Sequence, residues 1–290
     1  MTGRQEEESQ RIRIGKRRKQ TADRKVSGLG GMNRIPAKRR ILLSVAYDGT
    51  AYHGFARLKE DPKTIEAELD AALTALLGVR TEVTGASRTD SGVHAMGNAA
   101  VFDTVSTIPT GNFPDALNTK LPYDIRVRAA REVSGDFHPR HTDTIKTYRY
   151  EIDNESIADP LRYRYAMQVG HELDIERMNK AASFLIGEHD FKSFCSVHTQ
   201  AKTTRREITD IEVVRKTGQT VYITVRGHGF LYNMVRIIAG TLIEAGRGRI
   251  EPQEIVEILK AEDRTANPGF TAVAKGLTLL DIEFSELEEK

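Results

Sequence analysis

The sequence predicts an α+β fold made of two ferredoxin-like halves, each with a sheet flanked by helices. Two observations carry this prediction. Short segments alternate apolar with polar or small residues, which is the pattern of half-buried strands, and longer segments carry apolar residues at helical spacing. These segments follow one another in the order β-α-β-β-α-β, and the order occurs twice along the chain, which indicates two copies of the ferredoxin-like unit.

The first half covers residues 40–144 and opens with a strand, because apolar side chains alternate from Ile41 to Tyr47. A helix follows, for which Asp61 is the predicted cap and Pro62 the first helical residue, and Gly78 is placed to end it. The other elements predicted here are strands over Val79–Thr84, Asn98–Phe102 and Ile125–Glu132 and a short helix over Pro114–Thr119.

The second half covers residues 145–290 and repeats this order. Its first helix is predicted over Ile175–Ile186, with Asp174 before it as a cap and Gly187 after it. The remaining elements are strands over Ile145–Ile152, Arg206–Val214, Val221–Arg226 and Leu277–Phe284, with helices over Met234–Ala245 and Glu254–Leu259. The second and third of these strands form a hairpin around Lys216-Thr217-Gly218.

Charge is distributed unevenly along the chain. Residues 1–40 contain 13 Lys and Arg against 4 Asp and Glu, whereas the rest of the chain contains 30 against 37. Residues 1–39 are therefore predicted to be a basic, disordered arm, and an RNA surface on the folded part must be a local basic stripe. Its candidates are Lys146, Arg149, Arg162, Arg164, Lys202, Arg205, Arg206, Arg226 and Arg236.

The composition also limits the class of protein. The single cysteine, Cys195, excludes an internal disulfide and fits a reducing cytosol, so a cytoplasmic protein is expected. No apolar run approaches the ~18 residues of a membrane span, and the charged N-terminus lacks the apolar region of a secretory signal. No P-loop, dinucleotide-binding glycine pattern or Cys/His metal cluster is present, so neither a cofactor nor a metal is expected.

The segment that carries chemistry is Arg88-Thr89-Asp90-Ser91-Gly92-Val93-His94-Ala95. It lies between two predicted strands, and its glycines let a partner approach the backbone closely. Asp90 has no second acid beside it, which suggests a nucleophile rather than half of a hydrolytic pair, and Arg88 is placed to hold it ionised. A plain surface turn is the competing interpretation, because Asp, Ser and Gly are common turn residues.

Five blocks in order resemble the tRNA pseudouridine synthase A (TruA) family. They span about residues 41–284, and together they are far more specific than any single motif. The blocks are Tyr47–Phe55, Arg88–Ala95, Phe137–Arg140 with Lys146–Tyr150, Gly187–Phe194, and Phe230–Arg236 with its continuation to Gly248. Three positions depart from the family pattern: Ser87 stands for the usual Gly, Phe55 for the common Trp, and Val273 for the usual Pro.

The resemblance implies a pseudouridine synthase fold, in which the two halves join side by side around an RNA-binding cleft. It implies that Asp90 is the catalytic nucleophile, attacking either uracil C6 or ribose C1′, and that Tyr148 is the active-site tyrosine. Arg88 either fills the gap left by a flipped base or holds Asp90. Tyr148 and Tyr150 share one face of a strand, so one of the two is expected to be ordinary core.

Three further residues are candidates for binding substrate. Arg236 lies in an apolar stretch, where an arginine needs a partner if it is buried, and it would pair with Asp90 or with an RNA phosphate. Lys146 belongs to the predicted basic stripe. His94 either donates to RNA or locks the loop, and the second role is favoured.

The resemblance further implies a tRNA substrate, modified in the anticodon stem-loop at about positions 38–40, and a homodimer that needs neither cofactor nor metal. Three alternatives remain open from the sequence. One is a related synthase acting at other tRNA positions, and another is a non-catalytic RNA-binding protein. The third is a metal-dependent hydrolase that would use Asp90, His94 and His189, which the half-β pattern disfavours.

Overall fold

The computed structural model describes residues 37–287, which form one ten-stranded sheet with helices packed against it. The predicted arm therefore lies outside the described residues, apart from residues 37–39. The strands are β1 (Arg39–Tyr47), β2 (Thr84–Gly85), β3 (His94–Thr104), β4 (Ile125–Val133), β5 (Thr144–Asp153), β6 (Met167–Gln168), β7 (Gly187–Asp190), β8 (Arg205–Arg215), β9 (Thr220–His228) and β10 (Leu277–Phe284). The α-helices are α1 (Ile65–Leu77), α2 (Phe113–Asn118), α3 (Ile175–Ser183), α4 (Met234–Gly246) and α5 (Glu254–Ala261).

The strand order along the sheet is β4-β1-β3-β10-β5-β9-β8-β7, with β2 paired to β3 and β6 to β5. The stretch β4-β1-β3-β2 and the stretch β10-β5-β9-β8 have the same order: fourth, first, third and second strand of a β-α-β-β-α-β unit. The predicted α+β fold class with two ferredoxin-like halves in a mixed sheet is thus confirmed. The division of the chain at residues 144 and 145 into domains stays a prediction.

The two halves meet where β10 pairs with β3. This contact is parallel and short, since it joins Thr278 to His94 and Leu279 to Ala95, whereas β10 pairs with β5 antiparallel along most of its length. The strand synthesised last among the ten therefore lies in the middle of the sheet. It aligns the loop before β3 with the residues of β5, and that alignment sets the geometry of the cleft described below.

The start of α1 differs from the sequence prediction. Asp61 does not cap it, because its carboxylate accepts a hydrogen bond from the Lys63 amide (2.9 Å) and contacts His53, so the chain turns before the helix begins. Thr64 is the cap instead, and its hydroxyl accepts from the Ala67 amide at 3.3 Å. The predicted end is correct, since Gly78 ends α1 in the left-handed conformation.

The strand predicted over Val79–Thr84 is also wrong over most of its length, since only Thr84–Gly85 pairs. Two side chains of α1 take the backbone donors that a strand would need. The Thr74 hydroxyl accepts from the Thr81 amide at 3.1 Å, and the Asp70 carboxylate accepts from the Val83 amide at 2.7 Å. This segment therefore follows the helix instead of extending the sheet.

Helix α4 is buried along almost its whole length and its N-terminus faces the cleft. Gly240 allows the segment before β10 to approach it closely, because a Cβ at this position would lie 1.9 Å from the carbonyl oxygen of Phe270. The same segment also donates a backbone hydrogen bond to α4, from the Ala272 amide to the Arg236 carbonyl oxygen (3.1 Å). The orientation of the first turn of α4 therefore depends on a glycine that lies one turn further along.

We expect Gly240→Ala to lower the free energy of unfolding by about 1–3 kcal/mol, because the added methyl group has no room against a backbone carbonyl. The measurement is denaturant unfolding followed by circular dichroism. Gly111→Ala is the matched control, since no atom lies within 4 Å of the added Cβ there, and its effect should stay within about 0.5 kcal/mol. Equal stability of the two variants would contradict the packing described for α4.

Candidate active site

A cleft of about 640 Å³ opens beside the Asp90 loop. One wall is formed by the loop from Ala86 to Asp90, another by β5, and a third by the first turn of α4 with the residues just before it. Five of the six predicted site residues lie in its lining, namely Arg88, Asp90, Lys146, Tyr148 and Arg236. The sixth, His94, does not. The cleft thus brings together predicted site residues that are up to 148 positions apart in the sequence, Arg88 and Arg236.

The buried side-chain amide of Asn98 holds the Asp90 loop in place. Its Oδ1 accepts from the Ser87 amide (3.3 Å) and its Nδ2 donates to the Ser87 carbonyl (2.9 Å). The same Nδ2 lies 3.1 Å from the Tyr47 hydroxyl, which in turn hydrogen-bonds the Thr89 hydroxyl at 2.7 Å. Because these groups are buried and fully paired, they hold the loop in one conformation immediately before Asp90.

The block around Gly49 and Gly54 supports the same loop from the other side. A Cβ at Gly49 would lie 2.1 Å from the Val93 carbonyl oxygen, and one at Gly54 would lie 2.9 Å from the Thr89 carbonyl oxygen. The Thr89 carbonyl also accepts from the Phe55 amide at 3.0 Å. These glycines thus let two loops pack backbone to backbone, which explains their place in the sequence without any contact to a substrate.

Asp90 is paired with Arg236. The distance from Asp90 Oδ2 to Arg236 Nη1 is 3.2 Å, and the side chains are 24% and 18% exposed. The guanidinium is oriented by two more acceptors, since Nε donates to the Ala272 carbonyl (2.7 Å) and Nη1 to Asn233 Oδ1 (2.8 Å). Asn233 adopts a left-handed conformation (φ 61°), which asparagine tolerates better than most residues.

Two opposing effects act on the Asp90 carboxyl. Burial raises its pKa above the ordinary value, and the charge and hydrogen bond of Arg236 act in the opposite direction without cancelling that rise. Burial thus removes much of the water around the Asp90 carboxylate, while Arg236 favours its ionised form. The second carboxylate oxygen makes no hydrogen bond to any residue that the structure describes, so it is open to a ligand.

Tyr148 lies beside this carboxylate, with its ring edge-to-face with Phe230 at 5.1 Å between centroids. Its hydroxyl is 2.9 Å from the Ser87 hydroxyl. Burial raises the pKa of Tyr148 to about 12, the Ser87 hydrogen bond opposes this, and the Asp90 charge adds to it. The phenol therefore stays protonated at neutral pH. Ser87, which departs from the family pattern, thus links the tyrosine to the Asp90 loop.

The structure does not bear out one suggested role of Arg88, that of holding Asp90. Arg88 is exposed, and it makes no hydrogen bond or ion pair with any residue between 37 and 287. Arg236 takes this position because helix α4 and its own acceptors aim its guanidinium at the carboxylate. Arg88 instead leaves its charge free in the cleft.

His94 is placed to lock the loop. It is 5% exposed, its Nδ1 accepts from the Gly49 amide at 3.0 Å, and its Nε2 lies 3.2 Å from the carbonyl oxygens of both Arg164 and Lys275. Both ring nitrogens are thus engaged within the protein. This supports the structural alternative over the role as an RNA donor.

Tyr150, the second tyrosine of β5, is fully buried, and its hydroxyl donates to the carbonyl of Val273 at 2.8 Å. It belongs to the core, and it also fixes the segment that contains Val273, the third departure from the family pattern.

Sequence reasoning did not identify Asn98, Asn233 or the hydroxyl contact of Ser87. Only for Asn98 was a signal present, as a polar residue inside an apolar strand.

The residues of the hydrolase alternative do not come together. His189 Nε2 lies 2.9 Å from the Ile186 carbonyl, on the edge strand β7, while Asp90 pairs with Arg236. Within residues 37–287, no group of three or more His, Cys, Asp or Glu side chains is arranged to hold a metal ion. None of the helices in this range is both long enough and apolar enough to cross a membrane.

Comparison with known proteins specifies the family to which this two-half α+β sheet with its paired aspartate belongs. The sequence model of the family described as "tRNA pseudouridine synthase" matches residues 43–141 and 181–285. The chain belongs to this family.

Several relatives match over nearly their full length. The chain is 46% identical over 246 residues to tRNA pseudouridine synthase A of Brevibacillus brevis, which covers 85% of this chain and 100% of the relative. The enzyme of the same name from Acetivibrio thermocellus is 43% identical with the same coverage. That from Listeria monocytogenes is 40% identical, over 83% of this chain and 97% of the relative.

We expect Arg236→Gln to raise the pKa of Asp90 further, because the substitution removes the cation that favours the carboxylate and leaves burial unopposed. The carboxyl carbon shift of Asp90, followed by NMR against pH in aspartate-labelled protein, measures this. Arg80→Gln is the control, since Arg80 is 86% exposed and pairs with Glu82 instead. A pKa that is unchanged or lowered in the Arg236 variant would show that the ion pair does not control the charge of Asp90.

Proposed function

We propose that this protein is a tRNA pseudouridine synthase, an isomerase that converts uridine to pseudouridine in tRNA with Asp90 as the nucleophile. The observation that supports this best is the half-buried Asp90 carboxylate, which pairs with Arg236 at 3.2 Å and keeps one oxygen free toward the cleft. Membership of the family and the names of the relatives support the tRNA substrate.

The reaction breaks the bond between N1 of uracil and C1′ of ribose, turns the base, and forms a bond between C5 and C1′. N1 gains a proton and C5 loses one, so the product is an isomer of the substrate and no redox step is needed. Asp90 supplies the attacking oxygen, at uracil C6 or at ribose C1′, and the bond that it forms is broken again before the product leaves, so the carboxylate is regenerated. Arg236 favours the ionised carboxylate against the effect of burial and orients it, because its guanidinium is itself fixed at two further acceptors.

A uridine within a stem must leave the base stack before Asp90 can reach it, which costs a few kcal/mol. Tyr148 offers an aromatic face for the extruded base, and exposed Arg88 is free to occupy the gap. The Tyr148 hydroxyl is a poor base, since burial raises its pKa to about 12 and Ser87 already hydrogen-bonds it.

The anticodon stem-loop, at about positions 38–40, is the proposed site of modification, and a homodimer in the cytoplasm is the proposed working form. Both follow from the resemblance to the family. The single buried cysteine is consistent with a reducing compartment. Mapping of pseudouridine in tRNA from a strain that lacks the gene tests the position, and sedimentation of the purified protein tests the dimer.

We expect Asp90→Asn to abolish pseudouridine formation, because the amide keeps size and shape but removes the nucleophilic charge. Binding of tRNA should remain within a few-fold of the wild-type value. Single-turnover assays with a tRNA transcript and filter binding measure the two effects. Asp115→Asn, on the surface of α2, is the control for loss of one carboxylate. Appreciable turnover by the Asp90 variant would refute this mechanism.

For Tyr148 we expect substitution by Phe to slow the single-turnover rate much less than substitution by Ala, because Phe keeps the ring that packs on the base and on Phe230. Both rates are compared at saturating enzyme. If Phe is as damaging as Ala, the hydroxyl and its contact with Ser87 carry the function, and stacking is not the main role.

A further inference from the structure

Two cations of the cleft, Lys146 and Arg206, have no carboxylate partner among residues 37–287. Lys146 Nζ makes one long contact, 3.5 Å from the carbonyl oxygen of Ala86. The Arg206 guanidinium uses only Nη1, toward the backbone carbonyls of Thr203 and Arg205, and leaves its other donors unused. Most other arginines of the predicted basic stripe do have a carboxylate partner.

Four members of that stripe have a carboxylate partner, since Arg162 pairs with Glu151, Arg205 with Glu188, Arg226 with Glu283 and Arg236 with Asp90. Arg149 packs over the ring of Tyr222. Of the remaining stripe members, Lys146 and Arg206 line the cleft, whereas Arg164 and Lys202 lie outside its lining.

The sheet places Lys146 and Arg206 on either side of a glycine. Lys146 of β5 lies opposite Gly227 of β9, and Gly227 lies opposite Ile208 of β8, two residues from Arg206. Residues two apart in a strand share a face, so both cations lie on one face, two strand spacings across and two residues along, or ~12 Å apart at the backbone. Gly227 has no side chain to fill the space between them.

Gly227 cannot be replaced easily, because a Cβ there would lie 2.3 Å from the Glu207 carbonyl oxygen. The gap between the two cations is therefore built into the sheet. Long Lys and Arg side chains converge readily across such a gap on one small anion. A guanidinium and an ammonium together match the oxygens of a phosphate.

The electrostatics of the pair agree with this geometry. Burial lowers the pKa of Lys146 to about 8, and the positive charges of Arg206 and Arg88 add to the effect. Burial also lowers the pKa of Arg206. Partly desolvated like charges repel one another and destabilise the empty site, so an anion between them relieves a cost that the protein already carries.

We propose that Lys146 and Arg206 form a preformed site for one backbone phosphate of the RNA strand that enters the cleft. This inference rests on the proposed function, because that function supplies the polyanion. Arg206 thereby becomes an RNA-binding residue, and the group that Lys146 binds is a phosphate. The phosphate would hold the strand beside Asp90 while the base is out of the stack.

The first test leaves both residues intact. Asp90→Asn enzyme, which is not expected to turn over, is treated with an amine-acetylating reagent at pH 8 with and without an unmodified tRNA transcript, and modified lysines are quantified by mass spectrometry. Lys146 should react in the free protein, because its pKa is about 8, and tRNA should protect it several-fold. Lys216, exposed in the turn at the far end of β8, is the control and should react equally in both samples.

The second test measures the salt dependence of tRNA binding by Lys146→Met, Arg206→Gln, the double variant, and Lys216→Met. Loss of one phosphate contact should weaken binding roughly tenfold and lower the slope of log K against log salt by about 0.7 in the double variant. Lys216→Met should match the wild type. Use of both single variants keeps the test valid if one of them folds poorly.

The outcomes separate the two proposals. If the double variant keeps the wild-type affinity and slope, or Lys146 is not protected, the phosphate site is refuted while the synthase function stands. If wild-type protein does not bind tRNA at all, both are overturned.

Discussion

The half-buried carboxylate of Asp90 is the constraint on which the rest of this structure depends. A carboxylate that is removed from water needs a cation, and the cation comes from α4, 146 residues later in the chain. For this contact to form, the loop before β3 and the first turn of α4 must face each other across the joint between the halves. Three features position Asp90 and Arg236 for this contact: the parallel pairing of β10 with β3, the close backbone approach at Gly240, and the buried side chain of Asn98.

Much of the fold is predictable because short sequence patterns determine where its helices and strands begin and end. The capping residues Asp174 and Gly78 and the alternation in β10 each act over a few positions, and the structure agrees with them. The prediction was wrong where side chains competed for backbone groups. Asp70 and Thr74 take amide donors from a segment that reads as a strand, and the carboxylate of Asp61 makes a turn instead of a cap. The outcome of such competition depends on three-dimensional proximity, which single-sequence propensity does not contain.

In the candidate site, too, some residues are predictable from local motifs and others only from three-dimensional contacts. Asp90, Tyr148 and Lys146 are found from ordered motifs, and all three line the cleft. The partner of Asp90 was offered as either of two arginines, and only the structure distinguishes Arg236 from Arg88. The role of Ser87 could not be predicted, because its hydroxyl acts on a tyrosine 61 positions away. Sequence reasoning thus identifies the candidate site residues, whereas the long-range contacts that orient them are found only in the structure.

The central position of β10 has a consequence for how the protein is made. Residues 277–284 are synthesised after every other strand of the described sheet, yet β3 and β5 both need them as a neighbour. Until this segment leaves the ribosome, the nascent chain presents two unpaired strand edges, which are adhesive surfaces for other chains. A polypeptide released before residue 277 lacks the strand that joins its two halves.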